Sequence, residues 1–149
     1  MAVQTRSDNT TEPLILSDDS LVRNGVITQE PARTTDLLQN TVMAKIAATG
    51  FWVPFNALIG ADGSGVPRGI YLGDDIAAAD LVAGDIDDCA ILVGNATVNG
   101  DLVVWDDDTL SATSIVAPGT VEARTAADAL IESAGIFLED TVAISEYEN

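Results

Sequence analysis

Apolar and polar residues alternate in short runs along most of the chain, a pattern that predicts strands more often than helices. Residues 42–48 form an apolar run, and residues 51–55 form an aromatic and β-branched run of the kind found in strands. Between them, Thr49-Gly50 supplies a turn in which glycine can adopt a positive φ. The two runs predict a β-hairpin, and Pro54 favours a place at a sheet edge.

Further strands are predicted on either side of polar turns. Residues 69–72 are short, apolar and bounded by glycines, so we expect them to join the hairpin in one sheet. Residues 86–98 form a long strand candidate with a turn or bulge at Gly94-Asn95. Asn99-Gly100-Asp101 predicts a hairpin turn into residues 102–105. A last hairpin is expected to join residues 136–138 to residues 142–144.

Two segments have helical character. Residues 74–84 carry apolar side chains at helical spacing behind Asp74-Asp75, which can cap a helix, and Gly84 can end it. An irregular connection is an equally open interpretation, because so short a helix is marginal without packing. Residues 125–133 are the better helix, and Gly135 marks its end. The predicted fold class is a small single domain, α+β and mainly β, with short strands and one or two short helices.

Residues 1–36 have the fewest apolar residues, so we divide the chain into an extended N-terminal arm (1–36) and a β-rich domain (37–149). Two apolar islands in the arm have strand-like spacing: Leu14-Ile15-Leu16 and Val26-Ile27. They are the candidate binding residues, because an extended segment can add a strand to an exposed sheet edge of a partner. A frayed terminus is the alternative. Deleting residues 1–36 is expected to leave a folded domain.

The charge is strongly negative, with 24 Asp plus Glu against 6 Lys plus Arg and a net charge of −18. Direct nucleic-acid binding is excluded, because phosphates are held by clustered cationic side chains. No run of 18 apolar residues and no signal-peptide pattern is present, so we expect a cytoplasmic site of synthesis with no membrane span and no export. The acidity also suits a protein that works at high salt, in a halophilic or marine setting. The single Cys89 has apolar neighbours and is expected to be a buried thiol.

Catalytic chemistry has little support in the residue types. The chain has no histidine, which leaves only carboxylates and hydroxyls as candidate catalytic groups. The acids occur in adjacent runs typical of solvated loops, so we expect no catalytic residues, no cofactor and no metal. Calcium is the open alternative, at Asp106-Asp107-Asp108 or at Asp85, Asp87 and Asp88, although the full alternating calcium-loop spacing is absent.

A series of short motifs between residues 41 and 138 resembles the head decoration (capsid cement) proteins of tailed viruses, typified by the phage lambda decoration protein. The family pattern is an apolar-Gly-Lys-Ile strand, a Thr-Gly turn, an aromatic-Val-Pro-aromatic strand, an Asp-Gly-Ser loop, a Gly-Ile-Leu strand, and an apolar-Val-Gly or Arg-Gly turn with Val-Asn beyond it. The corresponding residues here are Ala44-Lys45-Ile46, Thr49-Gly50, Trp52-Val53-Pro54-Phe55, Asp62-Gly63-Ser64, Gly69-Ile70-Tyr71-Leu72, Val93-Gly94 and Val98-Asn99. Three features depart from that pattern: Ala44 in place of glycine, the long N-terminal segment and the very heavy acidity.

The resemblance implies a structural subunit of the virion that binds the capsid exterior and stabilises the expanded head against internal genome pressure. The implied partner is the major capsid protein, and the implied assembly is a homotrimer at local threefold positions. Four aromatic side chains exceed what one small core must bury and are the candidate subunit-interface residues: Trp52, Phe55, Tyr71 and Trp105.

Two alternatives come from other functional classes. The first is a ligand- or sugar-binding β-domain of a viral tail or fibre, and the second is a small carboxylate-based hydrolase. Co-sedimentation with expanded empty capsids separates them, because only a decoration protein is expected to saturate the shell.

Overall fold

The computed structural model describes residues 13–17, 19–55, 62–106 and 129–139. Within these ranges, seven strands run in the order β1 (Leu21–Ile27), β2 (Val42–Lys45), β3 (Trp52–Pro54), β4 (Pro67–Tyr71), β5 (Ile86–Gly94), β6 (Ala96–Asn99) and β7 (Ile136–Glu139). A short helix, α1 (Ala78–Ala83), precedes β5, a 3-10 turn (Gly100–Leu102) follows β6, and residues 129–134 are helical. The predicted class, a small and mainly β domain with few short helices, is confirmed.

Five strands form a closed barrel in the order β1-β3-β2-β4-β5, and β5 closes it by pairing with β1. The predicted hairpin is present as the antiparallel pair β2 and β3, in which Ala44 lies opposite Val53. Gly50 at its turn has a φ of 75°. The predicted strand at residues 69–72 is present as β4, which pairs with the other side of β2. These local predictions are confirmed.

β3 lies between β1 and β2 in the barrel and is not the edge strand that Pro54 predicted, although Pro54 itself pairs only with β2 among the described residues. On the side away from β2, β3 runs parallel to β1 and pairs with it at a single position, Ile27 with Trp52. Pro54 lies beyond that position. The strand therefore joins the barrel mainly through β2.

Trp52 fills the barrel interior, and two glycines on other strands make room for it. A Cβ atom on Gly25 of β1 would lie 2.6 Å from the Trp52 Nε1 atom. A Cβ atom on Gly69 of β4 would lie 3.1 Å from the Trp52 ring and 2.7 Å from the Leu92 carbonyl oxygen. The buried side chains of Met43 and Ile91 belong to the same cluster. The barrel core therefore depends on close approach of glycine backbone to one indole ring.

Three buried side chains from outside the strands complete the barrel cluster: Leu37 from the loop before β2, Ile76 from the segment before α1, and Leu81 from α1. The helix starts after Ala77 without a side-chain cap, and the Ala78 N–H donates to Asp36 Oδ1 at 3.1 Å. The predicted cap by Asp74-Asp75 is therefore wrong, whereas the predicted end at Gly84 is confirmed.

A buried arginine ties this loop to the chain after β6. The Arg33 guanidinium donates to Asp106 Oδ1 at 2.5 Å and Oδ2 at 3.0 Å, and to Glu30 Oε1 at 3.2 Å. It also donates to the carbonyl oxygens of Thr35 and Asp36. The Arg33 side chain has no exposed surface, so this bidentate pair is shielded from water.

A second layer covers the outer side of β4 and β5. Ile70 and Leu92 pack there against β6, β7 and the helical residues 129–134, of which Leu130 is fully buried. Asn95, with a φ of 53°, lies between β5 and β6, where the sequence predicts a turn or bulge. The predicted hairpin at residues 99–101 is wrong, because the chain makes a 3-10 turn and continues to Val104, which bridges Thr41 in parallel.

The predicted boundary between an arm and a domain at residue 36 falls inside this fold. β1 pairs with β5 at six positions, and Ile27 is fully buried in the barrel core. Val26 is half-buried in the same strand. Val26 and Ile27 thus belong to a barrel strand and not to an extended arm, which corrects that part of the arm prediction. Residues 1–12 lie outside the described residues.

Two predictions at the C-terminal end can be compared with the structure only in part. Residues 136–138 form a strand as predicted, and the helix ends before Gly135, which has a φ of 69°. The predicted partner strand at residues 142–144 and the predicted helix start at residue 125 lie outside the described residues. Among the described residues, the partner of β7 is β6, and the two strands are parallel.

Candidate functional site

The four aromatic residues predicted for a subunit interface are mostly buried within the single chain. Trp52 and Tyr71 belong to the barrel core, and Phe55 is buried outside it, beside β2. Phe55 packs edge-on against Trp105, with 6.1 Å between ring centroids and 67° between planes. The premise that these aromatics exceed the needs of one core does not hold for the first three. Trp105 alone of the four stays half-buried.

Tyr71 and Cys89 are inert groups of the barrel core. The Tyr71 hydroxyl donates to the Asp74 carbonyl oxygen at 2.6 Å. Burial, with smaller contributions from Cys89 and the carboxylates of Asp74 and Asp75, raises the pKa of Tyr71 to about 12. Burial also raises the pKa of the Cys89 thiol, which disfavours the reactive thiolate.

The carboxylates considered for calcium do not converge on one site among the described residues, where Asp87 and Asp88 are exposed and Asp85 and Asp106 make structural contacts. Asp85 Oδ1 accepts from the Gln29 N–H at 2.7 Å, and Asp106 binds Arg33. Asp107 and Asp108 are not among the described residues. In residues 13–17, 19–55, 62–106 and 129–139, no group of three His, Cys, Asp or Glu side chains is arranged to hold a metal ion.

Asp62 is a turn-forming residue. Its Oδ1 accepts from the Ser64 hydroxyl at 2.6 Å and from the Ser64 N–H at 2.9 Å, and these bonds lower the pKa of its carboxyl group. They fix the predicted Asp-Gly-Ser turn before β4.

Among the described helices, none is long and apolar enough to cross a membrane.

The most distinctive exposed surface belongs to a small sheet on the outside of the barrel. We call this the outer sheet: residues 14–16, β6 and β7. Ile15 bridges Val98 in antiparallel orientation, and the Leu16 N–H donates to the Thr97 carbonyl oxygen at 2.8 Å. On the other side of β6, Thr97 pairs with Phe137. β6 is therefore the central strand.

The register places Leu16, Thr97 and Phe137 in one row on the outward face of the outer sheet. Their neighbours along the strands, Ile15, Val98 and Ile136, face the core cluster instead. Leu16 is 41% exposed and Phe137 is 51% exposed. Two large apolar side chains thus flank a threonine at the surface of a highly acidic protein.

An open pocket of about 440 Å³ lies beside this row. Its walls include Ser17, Asp19, Asn95, Thr97 and Phe137. The Thr97 N–H donates to Ser17 Oγ at 3.0 Å, which holds the N-terminal segment against β6. The sequence marked residues 14–16 and 136–138 as strands, but no local signal indicates that these distant segments meet.

Comparison with known proteins agrees with the motifs seen in the barrel. The family model of the bacteriophage lambda head decoration protein D matches residues 3–117. The match begins earlier than the motif resemblance and ends earlier, so the N-terminal segment lies within the family pattern and is not an addition to it. No curated protein matches the chain. Because the matched residues cover more than three quarters of the sequence, the chain belongs to the bacteriophage lambda head decoration protein D family, a family of structural capsid proteins, and is located on the outside of the phage capsid in the virion.

Proposed function

We propose that this protein binds the outer surface of the capsid shell and stabilises the expanded head against internal genome pressure. The observation that carries the proposal is the family match over residues 3–117, which includes every strand of the barrel and β6. A subunit that binds the assembled shell, and not its separated parts, stabilises the shell by its binding free energy. Noncovalent binding is enough for this role.

We propose further that the protein has no enzymatic activity. The chain contains no histidine, and the Cys89 thiol is buried. The carboxylates of Asp36 and Asp75 accept hydrogen bonds from the backbone, and that of Asp106 binds Arg33. These contacts are structural, so they do not supply the separated pair of carboxyl groups that hydrolysis requires.

The proposed assembly is a homotrimer at local threefold positions, and the proposed partner is the major capsid protein. Of the four aromatic candidates for the subunit interface, only Trp105 keeps substantial exposed area in the single chain. Light scattering in high salt is the direct measurement, because screening reduces the repulsion between chains of net charge −18. A monomer under both low and high salt would count against the trimer.

The proposed capsid-binding arm is limited to residues before β1, because Val26 and Ile27 belong to that barrel strand. Leu14, Ile15 and Leu16 remain its candidate residues, and one edge of this segment is occupied by β6. Its other edge pairs with no strand among the described residues. A strand of the capsid protein could add to that edge, which would extend the outer sheet without dismantling it.

Co-sedimentation with expanded empty capsids tests the proposed function. The expected result is saturating binding together with a higher melting temperature of the shell. An acidic protein of similar size serves as the control for trapping in the pellet. If the protein fails to pellet above this control at any concentration, shell binding is refuted. If it binds without raising the melting temperature, stabilisation is refuted and binding stands.

A further inference from the structure

We propose that the outward face of the outer sheet is a docking surface for a shell segment that carries an apolar side chain next to lysine or arginine. The inference rests on the proposed function, since the partner is taken to be presented by the capsid shell. It adds a surface, a residue and a chemistry to that proposal. Phe137 is the residue on which the contact depends.

The apolar part of the surface is the row formed by Leu16, Thr97 and Phe137. Neighbouring strands lie about 4.8 Å apart, so the row extends over roughly 10 Å. Phe137 is 51% exposed although the residue before it, Ile136, is fully buried. Its ring thus contributes little to the core and is available to a partner. Aromatic side chains in such positions are frequent anchors of protein interfaces.

The polar part of the surface lies in the pocket beside Phe137. Asp19 is exposed at its wall, and the wall also contains the polar side chains of Ser17 and Asn95. None of the described residues that line the pocket carries a positive charge. A cationic side chain beside an apolar one therefore complements this surface in both polarity and charge.

The position of the surface fits a shell contact. Leu16 belongs both to the row and to the proposed capsid-binding arm, so a segment bound there would continue the arm contact onto the body of the domain. A second copy of the chain is a poorer occupant of this face, because the pocket wall carries Asp19 and favours a cation, whereas this chain has only 6 Lys plus Arg against 24 Asp plus Glu.

The test compares variants in a binding titration with expanded empty capsids. Phe137→Thr removes the ring and keeps a β-branched residue suited to a strand. We expect it to bind about tenfold more weakly, as is typical when an interface anchor is lost. Leu38→Thr and Val82→Thr are the controls, since Leu38 (44%) and Val82 (37%) are similarly exposed elsewhere on the fold. Both controls are expected to bind within about twofold of the parent protein.

The charge component is tested by Asp19→Asn, measured at low and high salt. We expect weaker binding than that of the parent protein at low salt, and a smaller change with salt. If Asp19→Asn behaves as the parent protein does at both salt concentrations, the cationic part of the proposal is overturned.

The remaining outcomes separate this inference from the function on which it rests. If the parent protein binds shells and Phe137→Thr, shown to be folded by circular dichroism, binds equally well, the docking surface is refuted and shell binding stands. If the parent protein does not bind shells, the proposed function itself fails. If Phe137→Thr changes the oligomeric state of the free protein, the occupant is a second copy and the proposal is overturned. Phe137→Tyr keeps the aromatic ring, so we expect this variant to bind shells nearly as tightly as the parent protein.

Discussion

The barrel and the outer sheet of this protein are held together in different ways. In the barrel, five strands close on themselves around Trp52, whose ring lies against Gly25 and Gly69. In the outer sheet, three short segments meet through a few backbone hydrogen bonds, and the row on the outward face is largely open to solvent.

The difference indicates a division of roles between the two regions. A substitution in the barrel meets closely packed atoms, so its cost falls on folding. A substitution on the outward face of the outer sheet meets solvent, so its effect falls on binding. We therefore expect stability variants to map to the barrel and its attachments, and binding variants to map to Phe137 and its neighbours.

The largest effect is expected from removing a whole barrel strand. Deleting residues 1–36 removes β1, which pairs with β5 at six positions, and with it the buried side chains of Ile27 and Arg33. We expect this variant to lose its cooperative thermal transition, measured by circular dichroism, because the barrel can no longer close. This reverses the expectation drawn from the sequence alone.

Deleting only residues 1–12 is the matched control for that experiment. It leaves every described strand in the chain, so we expect a cooperative transition close to that of the parent protein. If the variant lacking residues 1–36 unfolds with the same midpoint as the control, β1 is dispensable and the contrast between barrel and outer sheet fails.

The next effect concerns the ion pair that joins the barrel end to the chain after β6. Arg33→Met removes the guanidinium from Asp106 and Glu30 in a buried setting, and we expect a loss of about 3–5 kcal/mol in the free energy of unfolding. Urea denaturation gives this value. Arg23→Met is the control, since Arg23 is exposed on β1, and its effect is expected to stay within about 0.5 kcal/mol.

Adding Asp106→Leu to Arg33→Met is expected to recover part of the loss, because the carboxylate no longer remains buried without the arginine. If Arg33→Met and Arg23→Met lowered the free energy of unfolding equally, the buried ion pair of Arg33 would contribute no more to stability than an exposed arginine does.

A smaller effect is expected from adding one methyl group to the barrel. The Cβ of Gly69→Ala would lie 2.7 Å from the Leu92 carbonyl oxygen, so the backbone must shift, at a cost of about 1–3 kcal/mol. Gly84→Ala is the control, because its Cβ would have no atom within 4 Å and the φ of Gly84 is extended. Urea denaturation distinguishes the two. If both variants match the parent protein, the barrel is looser than its geometry indicates.

The smallest effect is the ionisation of Tyr71 at high pH. The pKa of Tyr71 is raised to about 12 in the folded protein, above the ordinary tyrosine value of about 10. The folded state therefore favours the neutral phenol. Its contribution to stability is fully present below pH 10 and is lost as the pH rises from 10 to 12.

The difference in absorbance at 295 nm between the parent protein and Tyr71→Phe isolates this titration from that of Tyr147. We expect a midpoint near 12 in native protein and near 10 in urea. A midpoint near 10 in the native protein would show that the barrel does not shield this hydroxyl.

The parts of the fold that could be predicted depend on neighbouring residues. Thr49-Gly50 indicated the β2–β3 hairpin, and Gly50 indeed has a positive φ. Gly94-Asn95 indicated the break between β5 and β6, where Asn95 takes the left-handed conformation. In each case the signal and the structure it predicts lie within a few residues of each other.

The parts that could not be predicted depend on residues far apart in the chain. β1 contains Arg23, Asn24 and Gly25 in its middle, so its local pattern resembles a polar linker. The reason for Gly25 is the ring of Trp52, which no local pattern indicates. For the candidate site, Leu16 was identified as a binding residue, but its neighbour Phe137 belongs to the other end of the sequence. The row they form exists only in the folded chain.

The strand order of the outer sheet also has a consequence for synthesis. Its three segments come from the beginning, the middle and the end of the chain, and the central strand β6 is made long before β7. Every strand of the barrel is available once residue 94 has left the ribosome, whereas the outer sheet must wait for residue 139. A chain released early could therefore close its barrel but would lack the face carrying Phe137. Completion of synthesis thus becomes a condition for a complete docking face.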